Sequence, residues 1–372
     1  MTATTAADVL HGREGSMTQT TGSATAAIWD GTDKGFALQS VPLPTLRAGE
    51  VLVRTELATI CGSDLHTING DRPTPLPTVL GHEAIGHVVA TGGEVIADGR
   101  PVTVGERITW TIGTSCGTCR RCLRGIPQKC ATVRKYGHEA IDDHWQLNGG
   151  FADHVHLAAG TGIVRLPDDL PASVATPANC ATATVTCAAR RVDLTADDVV
   201  VVLGCGMLGL TAVAYARDRG ATTVIASDVD PARRALAGLF GATQTVGPET
   251  LAKVVAEQGA DVIFELSGNS RAVQTAFDIV EMGGRIALVG SVSPAPPIQF
   301  EPSGYVKNLT TVVGSHNYRV DDLVEAVAFL QRTPYQSLFS DLVPEPFALD
   351  DIVEAVAIAN HGSDPRIAVR FP

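Results

Sequence analysis

Residues 199–209 read Val-Val-Val-Val-Leu-Gly-Cys-Gly-Met-Leu-Gly, and they join a short apolar run to a glycine-rich turn. A continuous apolar run predicts a strand buried on both faces of a parallel sheet. The following pattern, Gly204-x-Gly206-x-x-Gly209, opens a predicted helix over residues 207–219. In this setting the first glycine permits a tight turn, the second lets a pyrophosphate approach the backbone, and the third allows close helix–strand packing. The segment therefore predicts a dinucleotide-binding strand–helix unit.

An acidic residue at the end of the next predicted strand indicates which dinucleotide is bound. Segment 223–227 is strand-like, and Asp228 follows it about 20 positions after the glycines. The Asp228 carboxylate can accept hydrogen bonds from ribose hydroxyls and would repel a 2′-phosphate, so we expect NAD rather than NADP. The helix N-terminus at Met207 and Leu208 attracts the phosphates. Arg233 is either a second contact to the ribose or a phosphate, or an ordinary solvated cation.

Alternating strands and helices extend from this unit and contrast with the chain before it. Ahead of it, short runs broken by glycine and proline predict short β-strands and turns. After residue 199 the alternation predicts five or six parallel strands separated by helices. We therefore expect three parts: a disordered tail at 1–24, a mainly-β domain at 25–178 to which 319–372 returns, and a doubly wound parallel-sheet domain at 179–318.

Composition excludes several classes of function. The chain has 372 residues, 45% of them hydrophobic, with 28 Lys and Arg against 40 Asp and Glu, a net charge of −12. An acidic surface repels nucleic acids and anionic membranes, so we expect neither as a partner. The sequence also lacks the ~18–20 residue apolar run of a spanning helix and the layout of a secretory signal. These features predict a soluble, cytoplasmic protein.

Four of the eight cysteines crowd into one turn-rich loop. Cys116, Cys119, Cys122 and Cys130 follow the spacing C-x2-C-x2-C-x7-C. Four thiolates close a tetrahedral zinc site without an open position, so such a site organises a loop and does no chemistry. An iron–sulfur cluster, unrelated thiols and a zinc-ribbon nucleic-acid module are the alternatives. The acidic chain and the absence of a second recognition element argue against the last of these.

A more dispersed set of residues predicts a second metal site. Cys61, His82 and Cys180 offer two thiolates and one imidazole, which leave a fourth position on zinc for water or substrate. Taken singly, each residue is more often an ordinary buried side chain. Their occurrence together with the four-cysteine loop and a nucleotide-binding unit favours a catalytic site.

In order and spacing, these motifs resemble the zinc-dependent medium-chain alcohol dehydrogenases over nearly the whole chain after residue 25. Alcohol dehydrogenase binds its catalytic zinc through two cysteines and one histidine. The resemblance therefore implies that Cys61, His82 and Cys180 bind a catalytic zinc ion here. The resemblance implies a GroES-like catalytic domain, a Rossmann domain and an active site between them, with Val289 and Gly290 beside the nicotinamide. It also implies NAD, two zinc ions per chain, a small-molecule alcohol or aldehyde as substrate, and a homodimer or homotetramer built through the Rossmann sheet.

Further roles beside the catalytic zinc follow from the same resemblance. Glu83 matches a carboxylate that approaches the metal during ligand exchange, and Asp64 matches a carboxylate that orients a ligand imidazole. Ser63 matches the hydroxyl that bonds the substrate alcohol, and His66 matches the outer end of a proton relay. Gly62 departs from liver-type enzymes, which carry a basic residue there that contacts the pyrophosphate.

Three shorter segments resemble the branch of the family associated with phosphonate metabolism. They are Lys135-Tyr-Gly-His-Glu139, Asp142-Asp-His-Trp-Gln-Leu147 and Pro177-Ala-Asn-Cys-Ala-Thr-Ala-Thr184. We therefore expect a small substrate that carries an anionic group such as a phosphonate. The candidate cations for that group are Arg72, Arg134, Lys135, His138 and Arg319. The alternatives are a general polyol or primary alcohol dehydrogenase and, outside enzymes, an NAD-binding structural or regulatory protein.

Overall fold

The computed structural model describes residues 17–293, 295–362 and 364–372. Its strands are β1 Ser23–Trp29, β2 Phe36–Pro42, β3 Val51–Ile60, β4 Thr78–Val79, β5 Glu83–Thr91, β6 Ile96–Ala97, β7 Arg100–Pro101, β8 Arg107–Thr114, β9 His154–Leu157, β10 Thr161–Arg165, β11 Val199–Leu203, β12 Thr223–Ser227, β13 Gln244–Val246, β14 Val262–Glu265, β15 Arg285–Leu288, β16 Thr311–Gly314, β17 Phe347–Ala348 and β18 Ile367–Arg370. Its α-helices are α1 Gly62–Ile68, α2 Arg120–Leu123, α3 Ala172–Ala175, α4 Ala181–Arg191, α5 Met207–Asp218, α6 Pro231–Leu239, α7 Pro248–Gln258, α8 Ser270–Ile279, α9 Pro302–Asn308, α10 Val320–Arg332, α11 Gln336–Asp341 and α12 Ile352–His361. Short 3-10 helices cover Pro127–Lys129, Thr176–Asn179 and Leu349–Asp351. Among the described residues, every helix is too short or too polar to cross a bilayer.

Six parallel strands form the sheet that the apolar run predicts, in the order β13-β12-β11-β14-β15-β16. The central strand β11 explains why that run is continuous. Val200 and Val202 pack into one hydrophobic cluster, whereas Val201 and Leu203 pack into a separate cluster. Because successive side chains of a strand point to opposite faces, these two clusters cover the two faces of the sheet. The predicted strand 199–203 and the helix that opens at Met207 are confirmed.

A largely antiparallel sheet of seven strands dominates the first half of the chain, in the order β10-β8-β5-β3-β18-β17, with β9 also paired to β3. Strand β18 comes from the end of the sequence and pairs antiparallel with β3, with Ile367 opposite Ile60. This register places the residue that precedes β18, Arg366, next to the residue that follows β3, Cys61. Distant parts of the sequence thus meet at one end of β3.

The prediction of a disordered tail over residues 1–24 is wrong for the last residues of that range. Residues 1–16 lie outside the described residues, but Thr18 exchanges two backbone hydrogen bonds with Leu46, at 3.0 and 2.9 Å. Strand β1 then begins at Ser23, and Ala24 is buried. Two hydrogen bonds and the pairing of β1 with β2 offset the entropy of ordering this segment, which composition alone did not indicate.

Candidate functional site

Cys61, His82, Glu83 and Cys180 converge, with their ligand atoms all within 4.8 Å of one another. Cys61 lies between β3 and α1, His82 precedes β5, and Cys180 precedes α4. The two sulfur atoms are 3.9 Å apart. A tetrahedron with metal–sulfur bonds of ~2.3 Å has edges of about 3.8 Å, so this spacing suits two thiolates on one zinc ion. The sequence-predicted set is therefore brought together in space.

Asp64 holds the backbone on both sides of this cluster. Its carboxylate is buried and accepts hydrogen bonds from the backbone N–H groups of Cys61, at 2.9 Å, and Gly81, at 3.2 Å. The carboxylate oxygen Oδ1 lies 3.4 Å from Nδ1 of His82. Burial opposes protonation of His82, but Asp64 and Cys61 together outweigh burial and raise the His82 pKa well above its usual value. Asp64 thus fixes the position of the imidazole.

Arg366 is the main contributor to this site that the sequence motifs miss. Its guanidinium is buried, donates to both carboxylate oxygens of Glu83 and lies 3.7 Å from the sulfur of Cys61. Burial raises the pKa of Glu83, and Arg366 opposes that shift. A hydrogen bond with Cys180, together with the charge of Arg366, lowers the pKa of Cys61 well below its usual value. The site therefore favours a thiolate at Cys61.

Ser63 and His66 lie on α1 at increasing distance from the cluster. Ser63 Oγ is 3.5 Å from Nε2 of His82, so its hydroxyl faces the predicted metal site. His66 lies one helical turn further along, and its side chain is 53% exposed. Nδ1 of His66 is 3.2 Å from a carboxylate oxygen of Asp71. The two residues thus lie on the same helix, one at the cluster and one at the surface.

Basic side chains gather beside the cluster. The ring of His138 lies 5.1 Å from that of His82, and its buried Nδ1 has no partner among the described residues. Burial lowers the pKa of His138 well below its usual value, and positive charges at His82, Arg72 and Lys135 lower it further. His138 is therefore neutral at pH 7, and two cations lie close enough to influence its titration.

Lys129 and His316 extend this basic group, and the sequence motifs did not indicate either of them. Lys129 Nζ donates to Nδ1 of His316 at 2.7 Å, which joins the cysteine loop to the end of β16. Burial lowers the Lys135 pKa, and Lys129 and Arg72 lower it further, so these residues lie near one another. Among the described residues, Arg72, Lys129 and Lys135 form no ion pair with a carboxylate. We call Arg72, Lys129, Lys135, His138 and His316 the basic cluster.

Two of the five predicted cations lie elsewhere. Arg134 pairs with Glu139 at 3.5 Å and Asp142 at 2.6 Å, and its guanidinium lies 4.1 Å from the centre of the Trp145 ring. Arg319 lies 3.5 Å from Asp321 and lines a different cavity. Both arginines thus lie beside carboxylates and outside the basic cluster, and their contact with the substrate stays a prediction.

The four-cysteine loop also forms a compact cluster. Cys116, Cys119, Cys122 and Cys130 have sulfur atoms within 4.8 Å of one another, with two measured separations of 3.5 and 3.9 Å. Backbone N–H groups point at the sulfurs, as in the 3.2 Å bond from Cys116 to Cys130 Sγ. Backbone hydrogen bonds from Thr118 and Cys119 lower the pKa of Cys116 to about 5. The separations match the edges of one zinc tetrahedron of ~2.3 Å bonds and are short for an iron–sulfur cluster.

Each glycine of the 204–209 turn serves a different purpose. Gly204 has φ +95°, and an added Cβ would meet the backbone of Ser267 at 2.9 Å. A Cβ on Gly209 would lie 1.8 Å from the carbonyl oxygen of Gly204. By contrast, a Cβ on Gly206 would meet nothing within 4 Å. The free space at Gly206, at the start of α5, leaves room for a phosphate group.

The remaining cofactor residues line the carboxyl ends of the parallel strands, where such sheets bind ligands. Asp228 is buried and accepts a hydrogen bond from the Cys205 backbone at 2.7 Å. The side chain of Arg233 lies 3.8 Å from the Asp230 carboxylate. Val289 lies after β15 and, with His316 and other residues, lines a cavity of about 560 Å³. Gly290 follows Val289 and donates to the Glu265 carbonyl oxygen at 3.0 Å.

Comparison with known families and curated proteins agrees with this geometry. Residues 47–168 match the alcohol dehydrogenase GroES-like domain, and residues 208–332 match the family described as zinc-binding dehydrogenase. An L-threonine 3-dehydrogenase of Anaeromyxobacter dehalogenans is 32% identical over 91% of this chain and 96% of its own length. An L-threonine 3-dehydrogenase of Aeromonas hydrophila is 34% identical over 70% of this chain and 75% of its own length.

Solved structures give the same result. An alcohol dehydrogenase of Thermotoga maritima superposes with a TM-score of 0.88 at 27% identity, covering 94% of this chain and 100% of that one. A benzyl alcohol dehydrogenase of Acinetobacter calcoaceticus has a TM-score of 0.82 at 25% identity, with the same coverage. The chain therefore belongs to the zinc-dependent medium-chain alcohol dehydrogenase family, and it is an oxidoreductase with a GroES-like and a Rossmann domain.

Proposed function

We propose that the protein catalyses reversible hydride transfer between NAD(H) and a small alcohol or aldehyde that carries an anionic group such as a phosphonate. The observation that carries this proposal is the basic cluster beside Cys61, His82 and Cys180, in which Arg72, Lys129 and Lys135 lack a carboxylate partner among the described residues. Unpaired positive charge beside a reaction site attracts and orients an anionic substrate.

Two zinc ions per chain are part of this proposal. Cys61, His82 and Cys180 would hold the catalytic ion, with Glu83 as the neighbouring carboxylate, and the four-cysteine loop would hold the structural ion. When bound, zinc acts as a Lewis acid on an alcohol or carbonyl oxygen, and the nicotinamide accepts or donates the hydride. Arg366 balances the charge of Glu83, so the cluster does not carry an uncompensated buried carboxylate.

Ser63 and His66 supply the proton path. The Ser63 hydroxyl, which faces the cluster, would hydrogen-bond the substrate oxygen and take up its proton. The His66 side chain is 53% exposed, so it can release the proton to solvent. The step between them would pass through the ribose hydroxyls of the cofactor.

His138 would contact the substrate directly. Its ring lies beside that of His82, and its buried Nδ1 has no partner among the described residues. A buried polar atom without a partner costs free energy, so a bound substrate that hydrogen-bonds it would recover that cost. Because its pKa is lowered, His138 would act as a neutral hydrogen-bonding group, and Arg72 and Lys135 would carry the charge.

The preference for NAD rests on Asp228. Its carboxylate stands at the end of β12, where a 2′-phosphate of NADP would approach it. The charge of Arg233 is partly offset by Asp230, whose carboxylate lies 3.8 Å from it. The charge at this end of the sheet therefore favours the unphosphorylated dinucleotide.

We propose that two chains form a dimer through the edge of the parallel sheet. Strand β16 is the last strand of that sheet, and its outer edge is unpaired within the described chain. Exposed apolar side chains lie around it, namely Val306, Leu309 and Val312. An edge strand with apolar neighbours is a natural place for a second copy to add its own strand. Light scattering on the purified protein tests this proposal, because a monomer would contradict it.

L-threonine is the second candidate substrate, because the relatives named L-threonine 3-dehydrogenase cover nearly the whole chain. It has a secondary alcohol and a carboxylate, and the basic cluster would also attract that carboxylate. It differs from a phosphonate in charge and in its ammonium group, which the basic cluster would repel.

A substrate panel separates these candidates. The panel contains 2-hydroxyethylphosphonate, a hydroxycarboxylate of similar size, L-threonine, and neutral primary and polyhydric alcohols, each assayed with NAD and with NADP. The proposal expects kcat/KM to be at least about tenfold higher for anionic alcohols than for neutral alcohols of the same length, a difference of about 1.4 kcal/mol. Equal values for anionic and neutral alcohols would remove the proposed role of the basic cluster.

A further inference from the structure

A second cluster of metal-ligating side chains lies at the other end of β3 from Cys61. Glu50 immediately precedes this ten-residue strand, whereas Cys61 immediately follows it, so the two residues are on the order of 30 Å apart along an extended chain. His156 lies on β9, which pairs with β3, and its partner in the register is Leu52. His144 belongs to the polar and aromatic segment that follows the four-cysteine loop. None of these three residues contributes to the proposed reaction.

The three side chains point their ligand atoms at one another. Nε2 of His144 lies 3.0 Å from one carboxylate oxygen of Glu50, and Nε2 of His156 lies 3.0 Å from the other. All three ligand atoms are within 4.8 Å of one another. Zinc bonds of 2.0–2.1 Å to nitrogen or oxygen give tetrahedral edges of about 3.3 Å, close to the observed separations. We propose that Glu50, His144 and His156 bind a third divalent metal ion, with zinc as the preferred ion.

The charge of the cluster supports a cation at this position. The Glu50 side chain is 8% exposed, and its partners in ion pairs among the described residues are the two histidines rather than a lysine or arginine. The Arg47 backbone N–H also donates to a carboxylate oxygen of Glu50, at 2.7 Å. A divalent ion would compensate the carboxylate charge and replace the hydrogen bonds that now join the carboxylate to the two imidazoles.

The ligand set also leaves room for further ligands. His144 and His156 both line a cavity of about 350 Å³, which Asp143, Gln146 and Thr45 also line. Two imidazoles and one carboxylate occupy three positions of a tetrahedral zinc ion, and they leave the fourth for water. The cavity is large enough to supply that water. A hydrogen-bonded His–Glu–His triad without metal is the competing explanation, and it makes a different prediction.

Metal content of the full chain tests the proposal. Protein saturated with ZnCl2 and then passed through a desalting column is expected to retain three zinc ions per chain. Glu50→Gln, which keeps the shape of the side chain but weakens its metal binding, is expected to retain two. His144→Ala removes a partly exposed ligand and provides a second variant in case Glu50→Gln does not fold. Alcohol oxidation is expected to change less than twofold in both variants, because the cluster lies at the far end of β3.

Cobalt gives an independent measurement. Metal-free protein titrated with CoCl2 is expected to bind a third equivalent whose visible absorption lacks a thiolate-to-metal charge-transfer band, because this site has no cysteine. That signal is expected to be absent from Glu50→Gln. Equal zinc content and equal cobalt spectra in the wild type and both variants would overturn the proposal and leave a metal-free triad. Cys61→Ser is the comparison variant. It is expected to lose one zinc ion together with its activity, so it reports on the catalytic site separately from the Glu50 cluster.

Discussion

Arg366 donates two hydrogen bonds to Glu83, from Nε at 2.6 Å and from Nη2 at 2.8 Å, across 283 residues of sequence. Both side chains are buried, and the pair lies against the sulfur of Cys61. Removing one partner of a buried ion pair leaves the other charge without compensation and typically costs 3–5 kcal/mol. The pair is therefore central to the stability of the site.

Replacement of Arg366 tests this contribution. We expect Arg366→Met to lower the free energy of unfolding by about 3–5 kcal/mol, because Glu83 remains buried without its partner. Arg370→Met is the matched control, since Arg370 lies on the same strand and is exposed. Urea unfolding monitored by circular dichroism measures both variants. A loss below about 1 kcal/mol in Arg366→Met would show that the pair contributes little.

Replacement of Cys61 tests the predicted catalytic site. We expect Cys61→Ser to lose one zinc ion per chain and at least about 10³-fold in kcat/KM, because one thiolate of the Cys2His set is gone. Circular dichroism is expected to remain unchanged. Cys187→Ala is the control, because Cys187 is buried outside both thiol clusters. A Cys61→Ser protein that is fully active with one zinc fewer would rule out the assignment.

Asp228 determines cofactor choice in our proposal. We expect Asp228→Asn to raise the ratio of kcat/KM for NADP to that for NAD by about tenfold or more, because a 2′-phosphate would no longer meet a carboxylate. Glu257→Gln is the control, because Glu257 is an exposed carboxylate on α7 and its replacement removes one negative charge without freeing Arg233. An unchanged ratio in Asp228→Asn would place the determinant elsewhere.

The basic cluster makes a prediction about substrate charge. We expect Lys135→Met to lower the ratio of kcat/KM for an anionic alcohol to that for a neutral alcohol by about tenfold. Arg134→Met is the matched control, because Arg134 is adjacent in sequence but already paired with Asp142 and Glu139. If both variants changed the ratio equally, general surface charge rather than the basic cluster would explain the preference.

The contact between Lys129 and His316 predicts a pH dependence of stability. Burial lowers the pKa of His316 to about 4 from 6.5, with a further contribution from nearby cations. Between pH 6.5 and 4 the unfolded chain therefore binds a proton here that the folded chain does not, and the free energy of unfolding falls as pH falls. We expect His316→Asn to show a smaller fall between pH 7 and 5 than the wild type. Urea titrations at both pH values measure this difference, and equal falls would contradict it.

The parts of the fold that follow from local pattern were predictable. The apolar run at 199–203 and the glycines after it identify the strand and turn, because burial on two faces and a tight turn each require particular residue types. The cysteine spacing likewise predicts a four-sulfur cluster. These signals are contained within a few neighbouring residues.

The neighbours of the site were not predictable in the same way. Arg366 reaches Glu83 because β18 pairs with β3 in one register, and a register between segments 300 residues apart leaves no local pattern. His316 meets Lys129 for a similar reason, since Lys129 ends the 3-10 helix Pro127–Lys129 whereas His316 follows β16, 187 residues later. The sequence likewise does not reveal that the Arg134 side chain pairs with Asp142 and Glu139.

The pairing of β18 with β3 also bears on biosynthesis. A ribosome makes Cys61, His82 and Cys180 long before it makes residue 366, so the nascent chain holds its three predicted zinc ligands while Glu83 still lacks a counter-charge. A buried carboxylate beside thiolates is unfavourable, so the pocket would stay open during translation. We therefore expect the predicted catalytic pocket to assemble only after β18 has emerged and docked against β3.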